Sequence, residues 1–434
     1  MGNLNILTSN LGALSAYGFI RGLRKIADKI ILIYPQEKPT VLAHSKYIDK
    51  SYHLQFPKTE WERGVVTKEN NIQEEEFIQK LLEVCLSESI NIVIPTCDKE
   101  VYLFSKNKDR FEDNGITVLV SEFNSIEKTI DKYELIQAAK FVGFPYPETY
   151  LPNSIEEATE MANKIGYPVI TKPRTGTGSN GVQIIYEEDH LKAIFKEIGE
   201  KHRYPMIQEY IPGDSEPSIN IIMDNEGNPV LHFSLRKLRY VSPSRSTCVK
   251  VIEPLPEYEN AVKLAKHLGL KGFIAIQTKY DIKTNTHKLI EINARWGGNA
   301  AICIRIGEKQ GLNPLHINIQ AFKQKNMANQ LQTYTPGVVG FSLIEDLLAI
   351  QKYFKMKGNK SQIRDDNPLP KLSVLMRSYY KTYFSRKSVV DYYTKALIDD
   401  PKVAFSAYRR LVKLALKDNK IFVPWGEINR EFGD

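Results

Sequence analysis

The chain has 434 residues, 42% of them hydrophobic and 25% charged, and carries a formal net charge of +8. At about 150 residues per domain, this length predicts about three units rather than one. No apolar run approaches the roughly 18 residues that cross a membrane, and the scattered Cys85, Cys97, Cys248 and Cys303 give neither a CxxC zinc pair nor a disulfide framework.

Met1 to Asn10 enters a short apolar run without a cationic leader or cleavage site, so no signal peptide is expected and a cytoplasmic, reduced protein is. "LNILTSN" reads as a strand, "GALSAYGFIRGLRKIA" as a helix and "KIILIYP" as a strand. Phe77, Leu81, Leu82, Val84 and Cys85 fall at helical spacing, and "INIVIPT" follows as a buried strand. The alternation to about residue 120 predicts an open, mostly parallel α/β sheet. Gly12, Gly18 and Gly22 do not make GxGxxG, so an NAD site is not expected there.

"SIEKTIDKYELIQAAKFVGF" reads as one helix, and "IEEATEMANKIG" as another. "YPVITKP", a glycine-rich loop and "GVQIIY" then read as strand, loop, strand. Asp224 to Gly227 predicts a hairpin turn. "GFIAIQTKYDI" and "HKLIEINARW" predict a second antiparallel pair. From about Leu331 the pattern turns helical and basic, with 18 Lys and Arg against 11 Asp and Glu to the C-terminus. A solvated helical face is the plainer reading of that charge; an anionic partner or membrane surface is the other.

In "ITKPRTGTGSNGVQII", Gly176 and Gly181 have P-loop spacing, but Val182 and Gln183 follow where Lys and Ser or Thr are required, and the loop opens onto a strand. That excludes a Walker A loop and leaves a flap whose N–H groups would close over a polyphosphate, or a plain hairpin turn. Lys172 just upstream has the reach to join such phosphates. "IQEYIPGDSE" leaves its strand at Pro212-Gly213, where exposed backbone reads an adenine edge, and Glu216 offers a carboxylate to a ribose. Alternation sends Glu291, Asn293 and Arg295 to one face. With Gln277 they offer hard oxygens suited to Mg2+ and a cation for a migrating phosphoryl group. A cross-strand salt bridge is the plainer reading of Glu291 alone.

In this order, "DKYEL", "VITKPRTGTGSNGV", "QEYIPG", Glu216, Gln277 and "EINARWGGN" resemble the motifs of the ATP-grasp superfamily, in its carbamoyl-phosphate-synthetase-like and carboxylate–amine ligase branch. "VIPTCDKE" resembles part of the unit that precedes ATP-grasp cores. The resemblance implies a mixed α/β and α+β chain. A Rossmann-like pre-ATP-grasp domain would occupy 1–120 and an ATP-grasp domain of two α+β subdomains 121–328, its flap subdomain at about 165–212. A basic helical extension would take 329–434.

The resemblance also implies roles. Lys132 and Lys172 would contact ATP phosphates under a flap of Thr175, Gly176, Gly178, Ser179 and Gly181. Glu209, Tyr210 and Ile211 would read adenine, largely by backbone, and Glu216 would hold ribose. Gln277, Glu291 and Asn293 would bind one or two Mg2+, with Mn2+ as a substitute. Arg295, with Lys172, would serve the transferred phosphate. Gln277 stands where many relatives carry Asp or Glu, which weakens the case for a second ion.

The implied reaction joins a small-molecule carboxylate and an amine through an acyl phosphate, releasing ADP and phosphate. "SLRKLRYVSPSRST" concentrates cations, and Arg236, Arg239 and Arg245 are candidates for the substrate carboxylate; a charged surface hairpin is the plainer reading. The alternatives are a carbamoyl-phosphate-synthetase-like enzyme that releases the acyl phosphate, and a non-catalytic ATP-binding scaffold. "SVLMRSYYKTYFSRKSVVDYYTKAL" would form a cap over the site, a homodimer contact, or a patch for a polymeric or lipid-linked acceptor at the membrane periphery. Nucleic acid is not expected.

Overall fold

Almost wholly apolar runs need cover on both faces, which favours a parallel sheet flanked by helices. The computed structural model, which describes residues 3–9, 15–35, 41–59, 68–176, 181–199, 205–213, 216–242, 245–324, 327–358, 370–390, 400, 401 and 403, shows that sheet. Its strands are β1 Asn5–Ser9, β2 Lys29–Tyr34, β3 Lys50–His53, β4 Ile92–Ile94 and β5 Thr117–Val118, all parallel, in the order β3-β2-β1-β4-β5. The helices are α1 Ser15–Leu23, α2 Lys68–Ser87, α3 Asp98–Lys106 and α4 Lys108–Glu112. Strand order reverses between β1 and β4, and the crevice beyond their carboxyl ends is where such sheets bind ligands. Asp98 begins α3 at that edge. Gly22 lies inside α1 and serves packing: a Cβ there would stand 3.0 Å from both Ile304 and Leu315.

The helix expected through Asp131 is two, α5 Phe123–Ile130 and α6 Lys132–Val142. Asp131 takes an extended backbone and its Oδ1 accepts from the Tyr133 and Glu134 N–H groups at 3.0 and 3.3 Å. That N-cap restarts the helix in mid-pattern, so Lys132 becomes its first residue.

The glycine loop joins two strands, as expected. β6 Thr149–Tyr150, β7 Val169–Lys172, β8 Gln183–Ile185 and β9 Met206–Glu209 form an antiparallel sheet in the order β6-β9-β7-β8. α7 Ile155–Ile165 and α8 Glu188–Gly199 cover it. Ala158, Ala162, Val169, Ile185, Phe195 and Ile207 make a core separate from the rest of the molecule.

The third sheet comprises β10 Ser218–Met223, β11 Pro229–Ser242, β12 Arg245–Ile252, β13 Gly272–Asp281, β14 Thr286–Asn293, β15 Gln332–Thr333, β16 Val339–Phe341 and β17 Ser388–Val390. Its order is β14-β13-β10-β11-β12-β16-β17, with β15 on β11, and both predicted hairpins are present. The remaining helices are α9 Tyr258–His267, α10 Ala300–Lys309, α11 Pro314–Lys323, α12 Leu343–Gly358 and α13 Leu372–Tyr383. The C-terminal region is helical in α12 and α13, but β15, β16 and β17 also draw it into this sheet. Those strands are too short to show a sequence period.

Leu7, Ile31 and Val93 of the first sheet share one apolar cluster with Ile221, Ile274 and Ile276 of the third. The two sheets are therefore packed as one body, which fixes Asp98 relative to β14. Among the described residues no helix is long and apolar enough to cross a membrane.

Candidate active site

The β13–β14 register sets Gln277 opposite Glu291 and Ala275 opposite Asn293. Asn293 Nδ2 donates to Glu291 Oε1 at 3.3 Å, and Arg295 Nη2 donates to Asn293 Oδ1 at 3.1 Å. A cavity of about 260 Å3 opens over this row, walled also by Asp98, Glu216, Lys237 and Trp296. Among the described residues no three His, Cys, Asp or Glu gather as a metal cluster. One carboxylate with two amides fits a single Mg2+ completed by phosphate oxygens better than an all-protein cage.

Asp98 was not foreseen as a site residue. Its two carboxylate oxygens accept from Arg295 Nε and Nη2, each at 2.6 Å. Burial works against the Arg295 charge, but Asp98 outweighs it and holds the guanidinium pKa above its ordinary value. The available signal was position: an acidic residue opening a helix at the switch point of a parallel sheet.

The two lysines meet the same charge. Lys172, at the end of β7, is buried, and its ammonium is pulled down to about 8 by burial and then by Lys132, against the pull of Glu291. Burial also lowers Lys132, opposed by Glu291 and then Asp98. Lys132 is tied to the flap base: its Nζ donates to Gly176 O at 2.7 Å and its N–H to Arg174 O at 2.9 Å. Arg174 in turn donates to the capping Asp131 at 2.9 Å. Thr175 and Gly176 follow at the base of the flap, and Gly181 closes it at φ +73. Gly178 and Ser179 lie outside the described residues.

At the exit of β9, Lys288 Nζ donates to both Glu209 oxygens at 2.8 and 2.7 Å and reaches Asp281 at 3.0 Å. The Glu209 side chain thus ties the end of β9 to β14 of the third sheet. Tyr210 carries the Lys279 ammonium 5.6 Å from its ring centre, and Ile211 is buried. Glu216 Oε2 accepts from Lys237 Nζ at 3.2 Å. A larger cavity of about 540 Å3 lies at this junction, with Glu209, Tyr210, Tyr167, Lys283 and Lys288 in its wall, and it includes none of the expected metal or phosphate residues.

The arginine-rich segment requires a correction. Arg239 does not reach the cavity: it is fully buried, donating to Asp346 at 3.0 and 2.6 Å and to Thr382 at 3.0 Å, with the Tyr379 ring 4.4 Å away. It anchors α12 and α13 to β11. Leu235 and Lys237 face the cavity, so alternation sends Arg236 to the other side, and Arg236 is not among the lining residues. Arg245 opens β12, and its side chain lies outside the described residues. Among the described cations of this segment, Lys237 is the one that lines the cavity. Trp296 stacks on Phe273 with ring centres 3.8 Å apart, and its buried Nε1 has no hydrogen-bond partner.

Residues 131–307, which hold both lysines and the whole Glu291–Asn293–Arg295 row, match the family described as carbamoyl-phosphate synthase L chain, ATP binding domain. This segment is an ATP-grasp domain of the carbamoyl-phosphate-synthetase-like branch. Ahead of this ATP-grasp core, residues 66–119 match the PylC-like N-terminal domain. A carbamoyl phosphate synthase large chain, C-terminal section, from Methanopyrus kandleri is 27% identical over 236 residues, 52% of this chain and 41% of the relative. The large chain from Saccharolobus islandicus is 24% identical over 58% of this chain and 24% of its own length. The chain therefore spans less than half the length of these curated relatives. Among solved structures, the biotin carboxylase domain of Hydrogenobacter thermophilus 2-oxoglutarate carboxylase, in complex with MgADP and bicarbonate, superposes with a TM-score of 0.60 at 18% identity, covering 78% of this chain and 74% of that one. The L-amino acid ligase from Bacillus licheniformis gives 0.56 at 14%, covering 76% of each. At these identities the likeness lies in the fold.

Proposed function

We propose that the chain is an ATP-dependent carboxylate–amine ligase that works through an acyl phosphate and releases ADP and phosphate. What supports this reading is that Glu291, Asn293 and Arg295 line one cavity, while Lys132 and Lys172 lie within reach of the Glu291 charge. In the reaction, a substrate carboxylate oxygen attacks the γ-phosphorus and the bond to the ADP oxygen breaks. An amine then attacks the acyl carbon, phosphate leaves with the C–O electron pair, and the ammonium formed loses a proton.

The protein's part is positioning and charge neutralisation. Lys132 and Lys172 draw the phosphates beneath the flap, and burial strengthens that attraction. Gln277, Glu291 and Asn293 would hold Mg2+, which supplies Lewis-acid neutralisation of the phosphate oxygens when bound. Arg295, braced by Asp98, faces the transferred phosphoryl group. Trp296 Nε1, which has no hydrogen-bond partner, is available to an oxygen of the acyl substrate, Lys237, paired with Glu216, adds positive charge to the same wall, and a cavity of about 260 Å3 suits a small molecule. The described cysteines are all free thiols, which suits a cytoplasmic setting. The likeness to carbamoyl phosphate synthases favours one second reading, release of the acyl phosphate itself.

ADP release from MgATP with pooled amino acids tests the proposal, with Glu291→Gln as the blank. Substrate-dependent release by the wild type alone supports a ligase, and mass analysis of the product separates an amide from a free acyl phosphate. Release that persists unchanged in Glu291→Gln overturns the assignment.

A further inference from the structure

Helix α13 has two apolar faces, and the fold uses one. Leu375, Ser378, Tyr379 and Thr382 are buried, and Arg239 and Asp346 fasten that side. On the other side Leu372, Met376 and Tyr380, followed by Phe384, recur every fourth residue and stand 39%, 56%, 66% and 75% exposed. This spacing makes one continuous ridge, and the Tyr380 and Phe384 rings lie 5.1 Å apart along it. A run of large apolar side chains left in water marks a contact surface.

The charge along the stretch that carries the ridge has one sign. Lys371, Arg377, Lys381, Arg386 and Lys387 lie between Pro370 and Val390, a stretch with no Asp or Glu. Lys371, Lys381, Arg386 and Lys387 are exposed. A two-fold contact with a second copy would set these cations against their own duplicates. Nucleic acid would meet the cations but leave Leu372 and Met376 without a partner. A bilayer with anionic headgroups satisfies both, because an interfacial helix buries one apolar stripe at the acyl boundary while its cations meet lipid charges. Aromatic rings such as Tyr380 and Phe384 suit that boundary.

We propose that the Leu372–Met376–Tyr380–Phe384 ridge docks this protein on anionic membrane surfaces. The proposal goes beyond the ligase reading and does not depend on it.

Vesicle co-sedimentation tests it with the full chain. The wild type sediments with phosphatidylcholine vesicles containing about 30% phosphatidylglycerol and not with phosphatidylcholine alone, and about 0.5 M NaCl releases it. The double variant Met376→Glu/Phe384→Glu, with an unchanged melting temperature, binds at least about tenfold less. Failure of the wild type to sediment with anionic vesicles overturns the proposal. So does equal binding by the double variant. A wild-type dimer that the variant abolishes, without vesicle binding, overturns it too and gives the ridge to a second copy.

Discussion

Asp98 and Arg295 meet across two sheets, with both carboxylate oxygens 2.6 Å from guanidinium nitrogens. The pair orients the Arg295 planar fork where Asn293 alone would hold one edge. Asp98→Asn should lower kcat about 100-fold, because small misplacements at a reacting centre cost that much. KM for ATP should change little, and Asp98→Glu should recover part of the rate. An unchanged kcat in Asp98→Asn would remove the positioning role.

Lys172 makes the site sensitive to alkali. Its charged form exists below about 8 and disappears as pH rises through that value. If the cation grips phosphate, kcat/KM for ATP falls above that pH, because this ratio reports the free enzyme. Lys172→Arg keeps its charge and should move the falling limb beyond reach. The same depressed pKa makes the folded state gain stability as pH climbs from about 8 toward the ordinary lysine value of 10.5, where the unfolded chain holds the proton more tightly. A flat wild-type kcat/KM profile to about pH 9.5 would contradict the assignment.

Arg239 and Asp346 are both wholly buried. Arg239→Ala should destabilise the protein by about 3–5 kcal/mol, since it strands a carboxylate in the core. The paired replacement Arg239→Met/Asp346→Leu should recover much of that loss. Thermal melts of the three proteins check this, and an unshifted Arg239→Ala melt would refute it.

Gly176 holds φ +123, and a Cβ there would meet nothing within 4 Å. Gly176→Ala therefore adds backbone strain of about 1–3 kcal/mol without a clash. Because Lys132 bonds to the Gly176 carbonyl, the strain falls on the flap base. KM for ATP should rise with little change in melting temperature; equal KM values would show that the flap tolerates the change.

The ATP-grasp core was legible because its signals are local. Strand alternation put Glu291 and Asn293 on one face, and composition alone set the flap between two strands. Asp98 was not legible as a partner of Arg295, because 197 positions separate them and only the packed sheets bring them together. The bidentate fit of a guanidinium to a carboxylate favours Arg239 over Lys237 in the sequence, but β11 carries irregular register between Lys237 and Tyr240, so neither residue type nor alternation says which cation turns to the cavity. Asp131 misled for a different reason. Helical periodicity ran through it, while its side chain was capping the next helix.

The flap's separate core has a consequence for how nucleotide binding would be seen. A small unit with its own interior opens at a lower free energy than the sheet beside it. Deuterium should therefore enter amides of β7, β8 and β9 ahead of those in β10 and β13. A nucleotide gripped by Lys172 and the flap backbone would slow that uptake before any bond is made or broken, so occupancy becomes measurable without knowing the acyl substrate.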